Sequence, residues 1–122
     1  MKVIYGIENY KPLKFCALTI GTFDGVHVGH QKIIRRLVSI SKSKNIHPVV
    51  LTFSPHPRMI LQSDTSVKLI DTIEEKIDIL KHLNIGTLII HPFSKSFSRM
   101  TANEFVRDII VKSLSVKYLI IG

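Results

Sequence analysis

Tryptophan is absent from this 122-residue sequence, and Cys16 is its one cysteine. A single thiol cannot close an internal disulfide, so nothing ties the chain to an oxidising compartment. No apolar run approaches the roughly 20 residues needed to span a bilayer. The opening MKVIYGIENYKP lacks the apolar stretch of a signal peptide. The cytoplasm is the expected location. Low-complexity tracts, internal repeats and linkers are also missing, and the length suits one compact domain rather than two. Acidic residues are few, 9 against 17 Lys plus Arg, which leaves a formal net charge of +8. Such an excess favours an anionic partner: nucleic acid, a membrane surface or a phosphorylated small molecule. The cations are scattered, however, with no long basic run and no aromatic residues interleaved with them. Nucleic acid is therefore disfavoured.

What is present is a strand–helix alternation. Phe15–Gly21, His47–Phe53, Thr87–His91 and Val116–Gly122 are continuous apolar runs, as expected of strands buried on both faces of a parallel sheet. Met1–Tyr5 is a candidate short edge strand. Ile33, Ile34, Leu37, Val38 and Ser41 form one helical stripe. Thr72 with Glu75 and Thr101 with Glu104 carry the spacing of capping boxes. Ile73, Ile77, Leu80 and Leu83 mark the buried face behind the first, and Phe105, Val106, Ile109, Ile110 and Leu114 follow the second. The pattern predicts an α/β fold, a doubly wound, Rossmann-like parallel sheet with Phe15–Gly21 at its centre and Val116–Gly122 beside it. Val116–Gly122 reads as a fourth buried strand with no loop after it. The expectation is one domain over residues 1–122, the N-terminal part of a longer chain.

The chemistry concentrates in Gly21-Thr22-Phe23-Asp24-Gly25-Val26-His27-Val28-Gly29-His30, the first turn from strand to helix. Gly21 and Gly25 let the backbone bend and a ligand approach. His27 and His30, three apart, would share one face at a helix start, where unpaired N–H groups already attract anions. Two imidazoles there could donate to phosphate oxygens and stabilise a pyrophosphate leaving group. Taken alone, three other readings stand beside this one. The histidines could be structural near a helix cap. They could bind zinc, although no adjacent Cys or carboxylate completes a tetrahedron. The turn could be a Walker-type loop, although the Lys-Ser/Thr ending is missing, as is the dinucleotide glycine pattern.

GTFDGVHVGHQ resembles the signature of the HxGH nucleotidyltransferase superfamily, and its long form is similar to the FMN adenylyltransferase (FAD synthetase) branch. Leu51-Thr52-Phe53-Ser54-Pro55-His56-Pro57-Arg58 is similar to a second segment of that branch. Ile89 to Met100 and Ala102 to Val106 continue the likeness in collinear order from about Gly21 onward. The resemblance implies AMP transfer from ATP to FMN, giving FAD and pyrophosphate, with magnesium assisting. It implies His27 and His30 as catalytic groups, and Gly21, Thr22, Phe23, Gly25 and Gly29 against the nucleotide. For the flavin it implies His56, Phe53, Pro55, Pro57, Asp24, Phe105 and Ile109. Each of these also has a plainer reading: a proline-stiffened turn around His56, a capping role for Asp24, core packing for Phe105 and Ile109, solvent for Arg58 and Arg99. No metal ligands are expected here. The branch's Asn-bearing loop, its ATP-gripping I-S-S-x-x-x-R motif and the riboflavin kinase domain that commonly follows are expected in further sequence. As it stands, the segment is expected to hold half an active site.

Overall fold

The computed structural model describes residues 1–12, 14–23, 28–54 and 72–121. Five strands form a single parallel sheet: β1 (Lys2–Tyr5), β2 (Cys16–Ile20), β3 (His47–Phe53), β4 (Thr87–His91) and β5 (Val116–Ile120), in the order β1-β4-β3-β2-β5. The candidate edge strand at the N-terminus is real and pairs with β4, so the sheet has five parallel strands where four were certain from the apolar runs. β2 is interior, flanked by β3 and β5, while β3 occupies the exact middle.

Helix α1 (Val28–Lys44) carries the chain from β2 to β3, and α2 (Ile73–Lys81) lies between β3 and β4. Both cover one face of the sheet. Ala17, Val50, Leu88, Ile90 and Ile120 pack there against Ile34, Leu37 and Leu80, with Ile33, Ile40, Ile73 and Ile77 at the margin. The α1 stripe thus matches its expected period, with Ser41 buried and its hydroxyl donating to the Leu37 carbonyl at 2.7 Å. On the opposite face Cys16, Leu18, Val49, Leu51 and Ile89 meet Ile7, Ile110 and Leu114.

That second face is closed by an unusual helix. A short turn, α3 (Lys95–Ser98), is followed by α4 (Ala102–Glu104), which continues as a π-helix over Phe105–Ser113. The Thr101–Glu104 capping box closes in both directions, so the helix start is fixed locally. Beyond it the winding widens: the Leu114 amide donates to the Ile109 carbonyl at 2.9 Å, five residues back. Ordinary helical spacing was expected here. Ile110 and Leu114 of this segment are buried against the sheet, with Phe105 and Ile109 packed at the margin of the same cluster.

The crossovers through α1 and α2 run from β2 to β3 to β4 on one face. The return through the π-helix lays β5 on the other side of β2 along the other face. The strand order therefore reverses between β2 and β5, the position at whose carboxyl ends open α/β sheets commonly bind ligands.

Candidate active site

Gly21, Thr22 and Phe23 leave β2 at this reversal point. The Gly21 amide donates to the Leu51 carbonyl of β3 at 3.1 Å, so the turn begins tied to the sheet. Phe23 adopts a left-handed backbone, φ 50°, which is uncommon for a bulky residue and costs about 1–2 kcal/mol. Burial of its ring, 3% exposed, offsets this. The ring passes across Gly21 so closely that a Cβ there would lie 2.9 Å from Cε2, which accounts for glycine at this position. It then meets His30 in the first turn of α1 edge-on, with ring centroids 5.4 Å apart. The structure therefore brings Gly21, Thr22, Phe23 and His30 together. Gly29 lies in the same first turn of α1. Asp24, Gly25 and His27 lie outside the described residues, as do Pro55, His56, Pro57 and Arg58.

Two donors converge on the Thr22 carbonyl. Thr52 near the end of β3 gives its hydroxyl at 3.1 Å, and Lys76 of α2 gives its ammonium at 2.6 Å. Lys76 is buried on the same helix face as Ile73, Ile77 and Leu80. It was not singled out from the sequence. Its signal was a lysine at the i+3 position of an otherwise apolar stripe.

A second feature lies at the carboxyl ends of β3 and β4, on the π-helix face. Phe53 closes β3 and pairs in register with His91, which closes β4. Phe97 sits at the centre of a group of rings, with centroids 5.0 Å from His91, 5.6 Å from Phe53, 5.8 Å from Phe93 and 6.2 Å from Phe105. Phe97 is placed by α3, whose N-cap Ser94 accepts its amide at 3.1 Å, and Phe105 by the capping box at Thr101. All four phenylalanines are half-buried, so the cluster presents rings to solvent as well as to the core. Ile109 is likewise partly buried, packed against the core on this face of the sheet. Phe93 and Phe97 were not singled out from the sequence; their i, i+4 spacing in HPFSKSF was the available sign. Arg99 ends α3 with its side chain in solvent.

His91 is neutral by construction. Its Nδ1 accepts the Ile7 amide at 3.0 Å, so the ring proton sits on Nε2, and burial pushes its pKa down against a smaller upward pull from Glu8, 3.9 Å away. Cys16 is not a nucleophile of the site. It is wholly buried, donates to the Leu114 carbonyl at 3.3 Å, and burial pushes its thiol up to about 11. A cavity of about 380 Å³, bordered by Tyr5, Gly6, Ser54, Ile73, Ile90 and Pro92, opens at the same carboxyl end of the sheet. Another, of about 450 Å³, lies at the opposite end, where β1, β3 and β4 begin at Lys2, His47 and Thr87.

Residues 10–122 match the FAD synthetase family model. The chain belongs to the FAD synthetase family. Curated relatives include bifunctional riboflavin kinase/FMN adenylyltransferases from Buchnera aphidicola of Schizaphis graminum, 39% identical over the whole chain, and from Escherichia coli K12, 34% identical over the whole chain. The Bacillus subtilis protein of the same name is 34% identical over 86% of the chain. The chain spans about 40% of the length of the first two and 33% of the third. The fold recurs in a crystal structure named for a macrolide-efflux protein from Streptococcus pneumoniae. There the TM-score is 0.87 at 24% identity, over 98% of this chain and 40% of that one.

Among the described residues no helix is long and apolar enough to cross a membrane. Nor, among the described residues, do three or more His, Cys, Asp or Glu side chains come together.

Proposed function

We propose that this chain is a nucleotidyltransferase domain that transfers AMP from ATP to the phosphate of FMN, forming FAD and releasing pyrophosphate, in the cytoplasm. One observation carries the reading: a tightly held βα turn, with His30 packed on Phe23, stands at the reversal between β2 and β5, and a half-exposed ring cluster stands at the ends of β3 and β4. A polyphosphate and a flat aromatic ligand need those two surfaces near one another.

In this reading the FMN phosphate attacks the α-phosphorus of ATP in line, and the bond to pyrophosphate breaks. No residue is covalently modified. His27 and His30 donate to the oxygens on which charge develops, while backbone N–H groups of Gly21, Thr22, Phe23, Gly25 and Gly29 lie against the nucleotide. Phe53 and Phe105, with Phe93 and Phe97, flank the isoalloxazine. Ile109 backs that wall from the core, and Asp24, Pro55, His56 and Pro57 contribute around the flavin phosphate. Magnesium would draw its ligands from outside the described residues. ATP and FMN are the partners, and the +8 charge serves phosphate rather than nucleic acid.

The test is FAD formation from FMN and ATP by the full-length protein, this segment joined to the further sequence in which the ATP-gripping motif is expected, with pyrophosphate release that depends on FMN and on no other phosphorylated acceptor. His27→Ala and His30→Ala should each lower the rate by on the order of a hundredfold with little change in melting temperature. Parental rates in both variants would make the histidines structural and overturn the mechanism.

A further inference from the structure

The Thr22 carbonyl sits where an anion-binding turn can least tolerate an error. A carbonyl oxygen rotated toward a triphosphate repels it, whereas the amide on the other side of the same peptide attracts it. In a trans peptide the C=O and the following N–H point in opposite directions. Whatever fixes the Thr22 oxygen therefore fixes the direction of the Phe23 amide. Thr52 and Lys76 hold that oxygen from the sheet and from α2, at 3.1 and 2.6 Å.

Lys76 is an expensive choice for a merely structural contact. The residue is 5% exposed, and an ammonium taken out of water loses several kcal/mol of hydration. Apolar residues fill the neighbouring positions of the same helix face. The contact also joins distant parts of the chain, 54 positions apart, whereas a local hydroxyl would serve to stabilise a turn. Phe23, whose amide belongs to the held peptide, has a left-handed backbone, φ 50°, one of the two conformations from which anion-binding nests are built.

We infer that Lys76, assisted by Thr52, is a positioning residue for the nucleotide: it locks the Thr22–Phe23 peptide with its amide available to phosphate oxygens. The inference rests on the proposed reading of the turn as the nucleotide site.

The experiment compares Lys76→Met, Thr52→Val and the exposed Lys81→Met with the unmodified protein, all as full chains. Pyrophosphate and ATP are titrated calorimetrically, and KM for ATP, KM for FMN, kcat and melting temperature are measured separately. Lys76→Met should weaken pyrophosphate binding and raise KM for ATP by about tenfold or more, with KM for FMN within about twofold. Thr52→Val should move the same two quantities in the same direction by a smaller factor, and Lys81→Met should move neither. Unchanged pyrophosphate affinity in a folded Lys76→Met protein overturns the inference, as does an equal loss toward ATP and FMN. If Lys76→Met does not fold, Thr52→Val decides on the same terms. Absence of FAD synthesis by the unmodified protein would count against the proposed function, while the pyrophosphate titrations would still decide the role of Lys76.

Discussion

The ring of Phe23 stands edge-on to the ring of His30 at 5.4 Å, so the residue with the strained backbone is also the one that seats the imidazole. Turn conformation and histidine position are one mechanical unit. Four predictions follow from this and the neighbouring contacts.

Gly21→Ala should damage the site and press on the core to which Phe23 belongs. The added methyl would lie 2.9 Å from Phe23 Cε2 and 3.0 Å from Cζ, so the ring must move and His30 with it. The expected loss of stability is about 1–3 kcal/mol, as for overpacking in a filled site. Urea unfolding and ATP titration check this together. Full affinity with full stability would show that the ring has room to give.

Phe97→Ala should act on the flavin side. Phe97 touches His91, Phe53, Phe93 and Phe105, and its removal leaves the other rings without a common neighbour. KM for FMN should rise severalfold, consistent with about 0.5–1.5 kcal/mol per aromatic pair, while ATP affinity stays near its parental value. Steady-state kinetics with each substrate varied in turn would separate the two.

Stability should fall on the acid side, in a window set by two histidines. Burial pushes the pKa of both His91 and His47 below the ordinary 6.5, so the unfolded chain binds protons that the folded chain refuses. The stabilisation is complete above 6.5 and is lost as pH drops through the lower folded-state values. For His91 the mechanism is explicit, because protonation of Nδ1 destroys the acceptor of the Ile7 amide. Melting temperatures between pH 7.5 and about pH 5 should fall less steeply for His91→Asn with His47→Asn than for the unmodified protein. An equal slope would place the acid sensitivity in other groups.

Thr101→Ala removes the donor–acceptor exchange that starts the helix beneath the ring cluster. The Thr101 oxygen accepts the Glu104 amide at 3.1 Å, and the Glu104 carboxylate accepts the Thr101 amide at 3.3 Å. A loss of about 1 kcal/mol is expected. Thr101→Ser should retain most of the difference in chemical unfolding, since it keeps the hydroxyl.

The inner strands were legible because β2, β3 and β4 are buried on both faces, so His47–Phe53 and Thr87–His91 read as unbroken apolar runs with the observed limits. The buried strand expected at Val116–Gly122 is instead an edge strand, β5, with Lys117 and Leu119 exposed, because among the described residues nothing covers its outer side. Caps were legible too, since Thr72 and Thr101 satisfy amides three residues away and need nothing distant. The turn on which the proposal rests was singled out from Gly21 and the histidine spacing. Its support could not be, because Lys76 reaches Thr22 only after α2 has packed, and a lysine in a helix ordinarily points to water. The π-helical winding over Phe105–Ser113 is likewise a product of packing: an α-helix and a π-helix need the same residue types, and the sheet selects between them. Phe93 and Phe97 acquire a common purpose only when β3 and β4 place Phe53 beside His91.

The strand order also dictates a sequence of assembly. β2 and β3 can pair as soon as α1 has been synthesised, and β4 then adds to β3 and offers its other edge to β1. β5 has to find β2 last, across a separation shown by the Thr19–Ile120 hydrogen bond, which spans 101 positions. Closing so long a loop is entropically slow, and until it closes one edge of β2 remains open. The turn that would hold the triphosphate is among the first loops to leave the ribosome, yet its neighbouring wall arrives only with Val116–Ile120. Nucleotide present during synthesis would therefore meet an unfinished crevice, and a chain paused before Val116 would display β2 as a free template for strand addition.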